Sequence, residues 1–421
     1  MSVLWLERLR LWWLSCAIVI IIVCVWKEWT GLAHIHFLGY DYAFFYTAFL
    51  HVIEGHVTWG TLYSGTSERA FLQTHHYPMD MHNQYVYPPQ FAWLFSWLAW
   101  LPFAVSLAVW RFLTILCGVF GVFWTAKTLW GRLRRGYLLG LMVAVMTLTP
   151  FQLDLAVGNV NTVLFGCLSL AFYLLYRRKL ETAAALPIAF AILIKVTPIV
   201  ILLPLAMQRK WKTIRYTAMF GALIILASWC WLGPGSTFGY AIHFLQFSHD
   251  SMQNGPAPYN QSLLGVMELF LIHLKGLYHQ PMLQFTFDIY AVAVLAAIVW
   301  GIRQAKHTEA HVSVGLTSIL PISVSPLLEQ PHMVFTLPAM LTGLYMVGRM
   351  NVSIKSRYLS IIALAYGLQT LPVTFLLNDL TRRVPSLFWL HTQMFASLVC
   401  LIVMLLVLQR PNMLKQVDVS L

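Results

Sequence analysis

Charge is scarce in this chain. Only 10% of its 421 residues are Asp, Glu, Lys or Arg, where a soluble domain carries about 25%. That shortage excludes an ordinary soluble protein. Cysteine is sparse too: Cys16, Cys24, Cys117, Cys167, Cys230 and Cys400 all lie in apolar runs, and none forms a Cys-x-x-Cys pair. Neither a disulfide framework nor a zinc site is indicated, so these residues read as small packing groups. No nucleotide-binding glycine loop is evident. Internal repeats, low-complexity tracts and a separate soluble domain are also missing, so residues 1–421 read as one transmembrane domain.

Apolar sequence takes the place of what is missing. The chain is 59% hydrophobic, and runs long enough to span a bilayer recur throughout. The fold class expected is an all-α integral membrane protein. Its net charge of +12 does not indicate a nucleic-acid partner, because most Lys and Arg sit in short loops between apolar runs. Examples are Arg132, Arg134 and Arg135; Arg177, Arg178 and Lys179; and Arg209, Lys210, Lys212 and Arg215. Such clusters mark the cytoplasmic side.

Alternating basic loops with apolar runs predicts a path. Both termini lie in the cytoplasm, and the run 11–26 is a retained anchor rather than a cleaved signal, with no small-residue cleavage site behind it. With this run included, the path makes about ten crossings. Residues 183–207 are interrupted by Lys195 and Pro198 and are too short for two spans, so they read as a re-entrant hairpin buried in protein. Two long outer segments, 27–90 and 233–284, supply the extracytoplasmic surface, and 263–274 reads as an interfacial helix. Residues 90–126 bend near Pro102. The membrane expected is the plasma (inner) membrane.

Most acids fall on the outer side of this path. Asp41 precedes the aromatic run Tyr42 to Tyr46. Thr47, His51 and Glu54 follow at helical spacing, as in a helix lying in the interface. Asp41 is then either a helix N-cap or a catalytic base beside the membrane. Lys195 and Arg111 are cations in apolar sequence, each needing a partner or a route to the interface. The outer-loop histidines His34, His36, His51, His56, His75, His76 and His82 have no regular ligand spacing, so no metal site is expected.

An ordered set of short motifs carries a resemblance. Asp41-Tyr42-x-x-Phe45-Tyr46-x-Ala48, Glu54-Gly55, Leu62-Tyr63 and Tyr87-Pro88-Pro89 come first. Gly158-Asn159-Val160-Asn161, Ile194-Lys195-Val196-Thr197-Pro198, Asn260-Gln261-Ser262 and Ser325-Pro326 with Glu329 and His332 follow. In this order they resemble glycosyltransferase family 87, the polyprenol-phosphate-mannose-type mannosyltransferases of the GT-C superfamily. The sequence departs from the family at 158–161, where Gly-Gln-x-Asn is common, and at Glu329-Gln330-Pro331-His332, where a Glu-His-His cluster is common.

The resemblance implies a GT-C-like polytopic bundle. It also implies a hexosyltransferase that moves a sugar, mannose by family expectation, from a polyprenyl phosphate to a glycolipid or glycan acceptor outside the cytoplasm. The donor is a substrate, and no cofactor is implied. Partners are then the lipid-phosphate sugar, the acceptor and membrane lipids. Asp41 matches the position of the family's catalytic base. Inverting displacement needs such a base and a cation for the departing phosphate, for which Lys195 is the candidate.

Glu329 and His332 are candidates for orienting the acceptor or assisting proton transfer, or else mark a helix start around Pro331. Asn159, Asn161, Asn260 and Gln261 are candidates for sugar hydroxyls; the asparagines equally suit helix caps. Tyr87 is a candidate substrate contact, although Tyr87-Pro88-Pro89 also suits a structural start to a helix. The rival reading is a secondary transporter or lipid flippase using Lys195, Asp154 and Arg111 along a pathway. Such proteins often show paired repeats, and none is visible here.

Overall fold

The computed structural model describes residues 38–409 apart from 56–61, 64, 78–84, 133–134, 254–259, 274–279, 307–309, 351, 371–379, 381–382, 385–389 and 391. The expected anchor at 11–26, both termini, and His34, His36, His56 and His82 lie outside the described residues. Every described element is helical. An isolated bridge between Leu148 and Thr370 is the only β pairing among the described residues.

The helices, in order, are α1 (Tyr40–Ile53), α2 (Thr66–Thr74), α3 (Pro89–Phe95), α4 (Phe103–Trp130), α5 (Arg135–Met146), α6 (Thr149–Val157), α7 (Asn161–Phe172), α8 (Glu181–Ile194) and α9 (Leu202–Met207). They continue as α10 (Trp211–Leu232), α11 (Pro234–Gln253), α12 (Leu263–His273), α13 (Gln280–Lys306), α14 (Val314–Ser323), α15 (Thr336–Gly348), α16 (Val352–Gly367) and α17 (Gln393–Leu408).

Among the described residues, Phe103–Trp130, Trp211–Leu232 and Met282–Gln304 are long and apolar enough to cross a membrane. Apolar side chains point outward along them, including Phe112 and Phe120 on α4, Leu223 and Trp231 on α10, and Phe285 and Val292 on α13. This is a membrane protein: such surfaces suit hydrocarbon and not water. One bent helix pair, Thr149–Val157 with Asn161–Arg177, would make a fourth span if taken as one; the other apolar helices among the described residues, such as Glu181–Ile194 and Gln393–Leu408, are shorter than a span. Residues 183–207 form a broken element, α8 and α9 separated by Lys195, Val196 and a 3-10 turn over Thr197–Ile201.

The packing of α4 on α6 and α7 depends on small residues, which let helices approach closely. A Cβ on Gly118 would lie 2.5 Å from Phe151, one on Gly121 2.5 Å from Phe165, and one on Gly166 2.9 Å from the Cys117 carbonyl oxygen. Thr125 donates to Ser169 across this contact at 2.9 Å. Helical backbone is broken near Pro102: α3 ends at Phe95, a 3-10 turn runs over Ser96–Trp100, Leu101 is extended, and α4 begins at Phe103.

Helix α1 does not lie free as an interfacial helix. Tyr42, Phe45 and Phe49 are almost fully buried, and Tyr42 stacks on Trp110 at 5.7 Å between ring centroids. Phe45 meets Tyr87 and Phe91 edge-on at 4.8 and 5.0 Å. Thr47, expected on a polar face, is buried and donates back to the Ala43 and Phe44 carbonyls. The aromatic run therefore inserts the helix into protein.

Candidate active site

Four interruptions of helical backbone meet at one cavity. The first is the start of α1. Gly39, with φ of 79°, precedes it, and no side chain caps the helix. The N-cap reading of Asp41 therefore does not hold: the residue lies inside the first turn, two positions past the cap residue Gly39, and its carboxylate turns to a neighbouring segment. The Gly39 N–H donates to the Ala156 carbonyl at 2.8 Å and ties this start to the end of α6.

The second interruption separates α6 from α7, which bend by 118°. Gly158 makes that turn with φ of 77°. Its N–H and that of Asn159 both donate to the Asp154 carbonyl, a closure for which glycine is the residue of least strain. Trp110 Nε1 donates to the Gly158 carbonyl at 2.9 Å. Arg111 donates to the Leu155 and Ala156 carbonyls at 3.2 and 2.8 Å. It thus sits at the C-terminal end of α6, where a cation suits the helix dipole, and it is not among the residues that line the cavity described below.

The third interruption is the extended residue Lys195 between α8 and the following 3-10 turn. The fourth is the segment before a 3-10 turn over Gln330–Phe335. Glu329 caps that turn through a reciprocal box with His332, and Pro331 falls in its first positions. The helix-start reading of this motif is correct as local structure. It also aims both side chains inward. In a membrane protein, irregular backbone of this kind survives where it is buried or lines a cavity.

The cavity has a volume of about 320 Å³. Asp41, Tyr87, Asn159, Asn161, Lys195, Glu329 and His332 all line it, with apolar and aromatic walls from Tyr40, Phe44, Tyr240, Phe244, Ile322 and Leu328. Seven candidates separated by up to 291 positions in sequence thus share one space. Asn260 and Gln261 do not line it. The Asn260 amide donates to the Pro326 carbonyl at 2.9 Å and accepts the Leu328 N–H at 3.0 Å. The Gln261 N–H donates to the Leu328 carbonyl at 2.6 Å. Both hold the strand of backbone that leads into Glu329.

Inside the cavity the polar groups are joined. Asn159 Nδ2 donates to Asp41 Oδ2 at 2.6 Å. Asn159 Oδ1 accepts from Asn161 Nδ2 at 3.0 Å and from the Tyr87 hydroxyl at 3.3 Å. Lys195 Nζ donates to Asn161 Oδ1 at 3.1 Å, lies 2.7 Å from His332 Nε2 and sits 5.7 Å from the Tyr87 ring centroid. Burial, and after it the charge of Glu329, pushes the Asp41 carboxyl up to about 7, against the pull of the Asn159 hydrogen bond and of Lys195. Burial likewise raises Glu329, with Lys195 acting in the opposite direction. A carboxyl poised near neutrality is suited to proton transfer at physiological pH.

Asp154 was visible in the sequence only as an acid within an apolar run; it is fully buried behind this cavity and bonded to Asn161. Tyr240 and Phe244 carried no signal in the sequence beyond an i, i+4 aromatic pair. Among the described residues no group of His, Cys, Asp and Glu is arranged to hold a metal ion.

The model of glycosyltransferase family 87 matches residues 85–326. A protein of Mycobacterium tuberculosis, named polyprenol-phosphate-mannose-dependent alpha-(1-2)-phosphatidylinositol mannoside mannosyltransferase, is 28% identical over 66% of each chain. One of the same name from Mycolicibacterium smegmatis is 27% identical over 61% of this chain and 60% of its own. The match thus spans just under two thirds of these relatives' length. No solved structure shows a significant match.

Proposed function

Because the chain belongs to glycosyltransferase family 87, whose model covers more than half of it, we propose that it moves a hexose from a polyprenyl phosphate carrier to a glycolipid or glycan acceptor. Mannose is the sugar to test first, since it is in both relatives' names. A phosphatidylinositol mannoside, their named acceptor, represents the acceptor class. The reaction is placed on the extracytoplasmic side of the plasma membrane, with the basic loops opposite.

One observation carries this reading: an acid and a cation face the same cavity, joined through two amides, within mostly apolar walls. In a single inverting displacement the acceptor oxygen bonds to the anomeric carbon as the bond from that carbon to the phosphate oxygen breaks. The hydroxyl proton passes to Asp41. The leaving lipid phosphate gathers charge beside Lys195. Apolar walls weaken competition from water and strengthen both interactions. His332 lies against the cation, and Glu329 acts on it through its charge.

The experiment supplies purified protein with labelled polyprenyl-phosphate mannose and a glycolipid acceptor, and identifies the product. A new glycosidic bond, lost in a well-expressed Asp41→Asn variant, is expected. Undiminished transfer by that variant removes Asp41 as the base. Movement of lipid across vesicles with no bond formed removes the transferase reading.

A further inference from the structure

We propose that Asp154 is a positioning residue: it fixes the side-chain amide of Asn161 and, through it, that of Asn159, so that an N–H edge faces Asp41 and an oxygen faces Lys195. The proposal rests on the reading of Asp41 and Lys195 as base and phosphate partner.

Asp154 does not line the cavity and is fully buried on α6. Part of its work is ordinary capping. Oδ2 accepts the Thr162 N–H at 2.8 Å and Oδ1 the Asn161 N–H at 3.3 Å, satisfying the open amides at the start of α7. One bond goes beyond the cap: Oδ1 also accepts from Asn161 Nδ2 at 3.0 Å.

That bond decides the order of a chain of amides. A side-chain amide has an oxygen that only accepts and a nitrogen that only donates, and nothing in its shape tells the two apart. An ionised carboxylate only accepts, so it admits only the Nδ2 edge of Asn161. The Asn161 oxygen is then left facing Lys195. Asn161 Nδ2 also reaches Asn159 Oδ1 at 3.0 Å, where the Val160 N–H (2.7 Å) and the Tyr87 hydroxyl (3.3 Å) donate as well. Asn159 therefore has its oxygen turned inward and its Nδ2 toward Asp41, at 2.6 Å. Reversing either amide sets oxygen against oxygen at one end. The acceptor-only group at the back of the site thus orders both.

The two roles open to Asp154 differ in sign at Asp41. Asp41 is faced by Lys195 from the α8 break, Glu329 from the last interruption, Asp154 from α6 and the Asn159 amide. As a nearby negative charge alone, Asp154 disfavours ionisation of Asp41, and its removal would shift the Asp41 titration to lower pH. As the group that holds Asn159 in place, its removal weakens the hydrogen bond to the carboxylate, a larger influence, and shifts the titration to higher pH.

The test is an infrared titration of the purified protein. The carboxyl stretch of protonated Asp41 is identified as the band missing from Asp41→Asn. Its midpoint is then followed in the parent protein, in Asp154→Asn and in Asn161→Ala. The second variant keeps both backbone bonds of the Asp154 cap and so guards against a folding failure in the first. A midpoint displaced to higher pH in each folded variant is expected, with kcat for sugar transfer down about a hundredfold, as for a small misplacement of reacting groups. A midpoint unmoved or lowered in Asn161→Ala, or in folded Asp154→Asn, overturns the proposal. The titration needs no turnover, so failure here is distinct from transfer that survives loss of Asp41, which would sink the underlying reading.

Discussion

His332 Nε2 lies 2.7 Å from Lys195 Nζ, while the other ring nitrogen, Nδ1, accepts the Glu329 N–H at 2.9 Å. A neutral imidazole that accepts at Nδ1 carries its proton on Nε2. That ring proton faces the lysine nitrogen and disfavours its charged form. Burial lowers the Lys195 amine to about 8, with the charges of Glu329, Asp154 and Asp41 acting against it, so it is cationic at neutral pH and loses its charge above it; Nζ donates to Asn161.

A lipid phosphate calls for a cation, so we predict that the donor binds best below about pH 8, where Lys195 keeps its proton. The donor KM should then rise as pH is raised on the alkaline side. Lys195→Arg, cationic at any accessible pH, should flatten that dependence. Lys195→Met removes a charge-assisted hydrogen bond of about 1.5–3 kcal/mol, which corresponds to a donor KM about ten- to a hundredfold higher. Initial rates against donor concentration and pH measure all three. An unchanged donor KM in Lys195→Met would separate this residue from the phosphate.

Asp41 sets the second prediction. A general base acts ionised, and this carboxyl is pushed up to about 7, so kcat/KM should rise with pH and level off above neutrality. Asp41→Asn should cost about 10²–10⁴-fold in kcat, the usual contribution of such a base. Stability should report the same shift with a definite sign. The folded protein holds this proton more tightly than the unfolded chain, whose carboxyl sits near 3.8. The stabilising contribution is therefore full below about pH 4 and is lost as pH rises toward about 7, at roughly 1.4 kcal/mol for each unit of displacement. Thermal unfolding in detergent should show Asp41→Asn gaining on the parent across that window and running parallel to it above. A constant gap would mean that Asp41 is not strained toward its neutral form.

The all-helical, apolar character and the breaks at Pro102 and at Lys195–Pro198 were legible because apolar runs and proline interruptions act locally. Asp41 and Lys195 were legible as polar groups placed against apolar sequence, where an uncompensated charge is costly, whereas Glu329 and His332 stood out only through the family resemblance. The partners of those groups were not legible. Asn159 and Asn260 look alike in sequence, yet one amide faces Asp41 and the other holds the Pro326 and Leu328 backbone. Arg111 and Lys195 look alike as isolated cations, yet Arg111 closes the end of α6. What separates each pair is long-range packing, which neither period nor spacing encodes. The aromatic run of α1 misled for the same reason: Tyr42 and Phe45 look fit for an interface, but the surface they meet is Trp110, Tyr87 and Phe91.

Gly158 gives a third prediction. Its φ is 77°, and a Cβ there would lie 2.7 Å from Tyr42 Cβ. Gly158→Ala thus adds left-handed strain, about 1 kcal/mol or more, and pushes α1 away from the turn that carries Asn159. Transfer should fall further than the loss of stability explains, because Asp41 and Asn159 ride on the two parts that separate. Comparing kcat with the unfolding midpoint measures the difference. Gly55→Ala is the control: it shares a positive φ of 72° but has open space around it, so it should cost stability alone.

Asn260 separates two roles that the sequence left open. If its amide bound a sugar hydroxyl, Asn260→Ala would raise a substrate KM and leave the fold alone. The geometry assigns it to backbone instead: Oδ1 accepts the N–H groups of Ser262 and Leu328 at 3.0 Å each, and Nδ2 donates to the Pro326 carbonyl. Ser262 Oγ also donates to that carbonyl at 2.7 Å, so the carbonyl keeps a partner when Asn260 is cut back, whereas the buried Leu328 N–H loses its bond to Oδ1. An unsatisfied buried group of this kind costs about 1–3 kcal/mol. We therefore predict that Asn260→Ala unfolds earlier by that amount and lowers kcat, since Glu329 is the next residue along the loosened segment, while KM for donor and acceptor changes little. A raised KM with an unchanged unfolding midpoint would return Asn260 to the substrate.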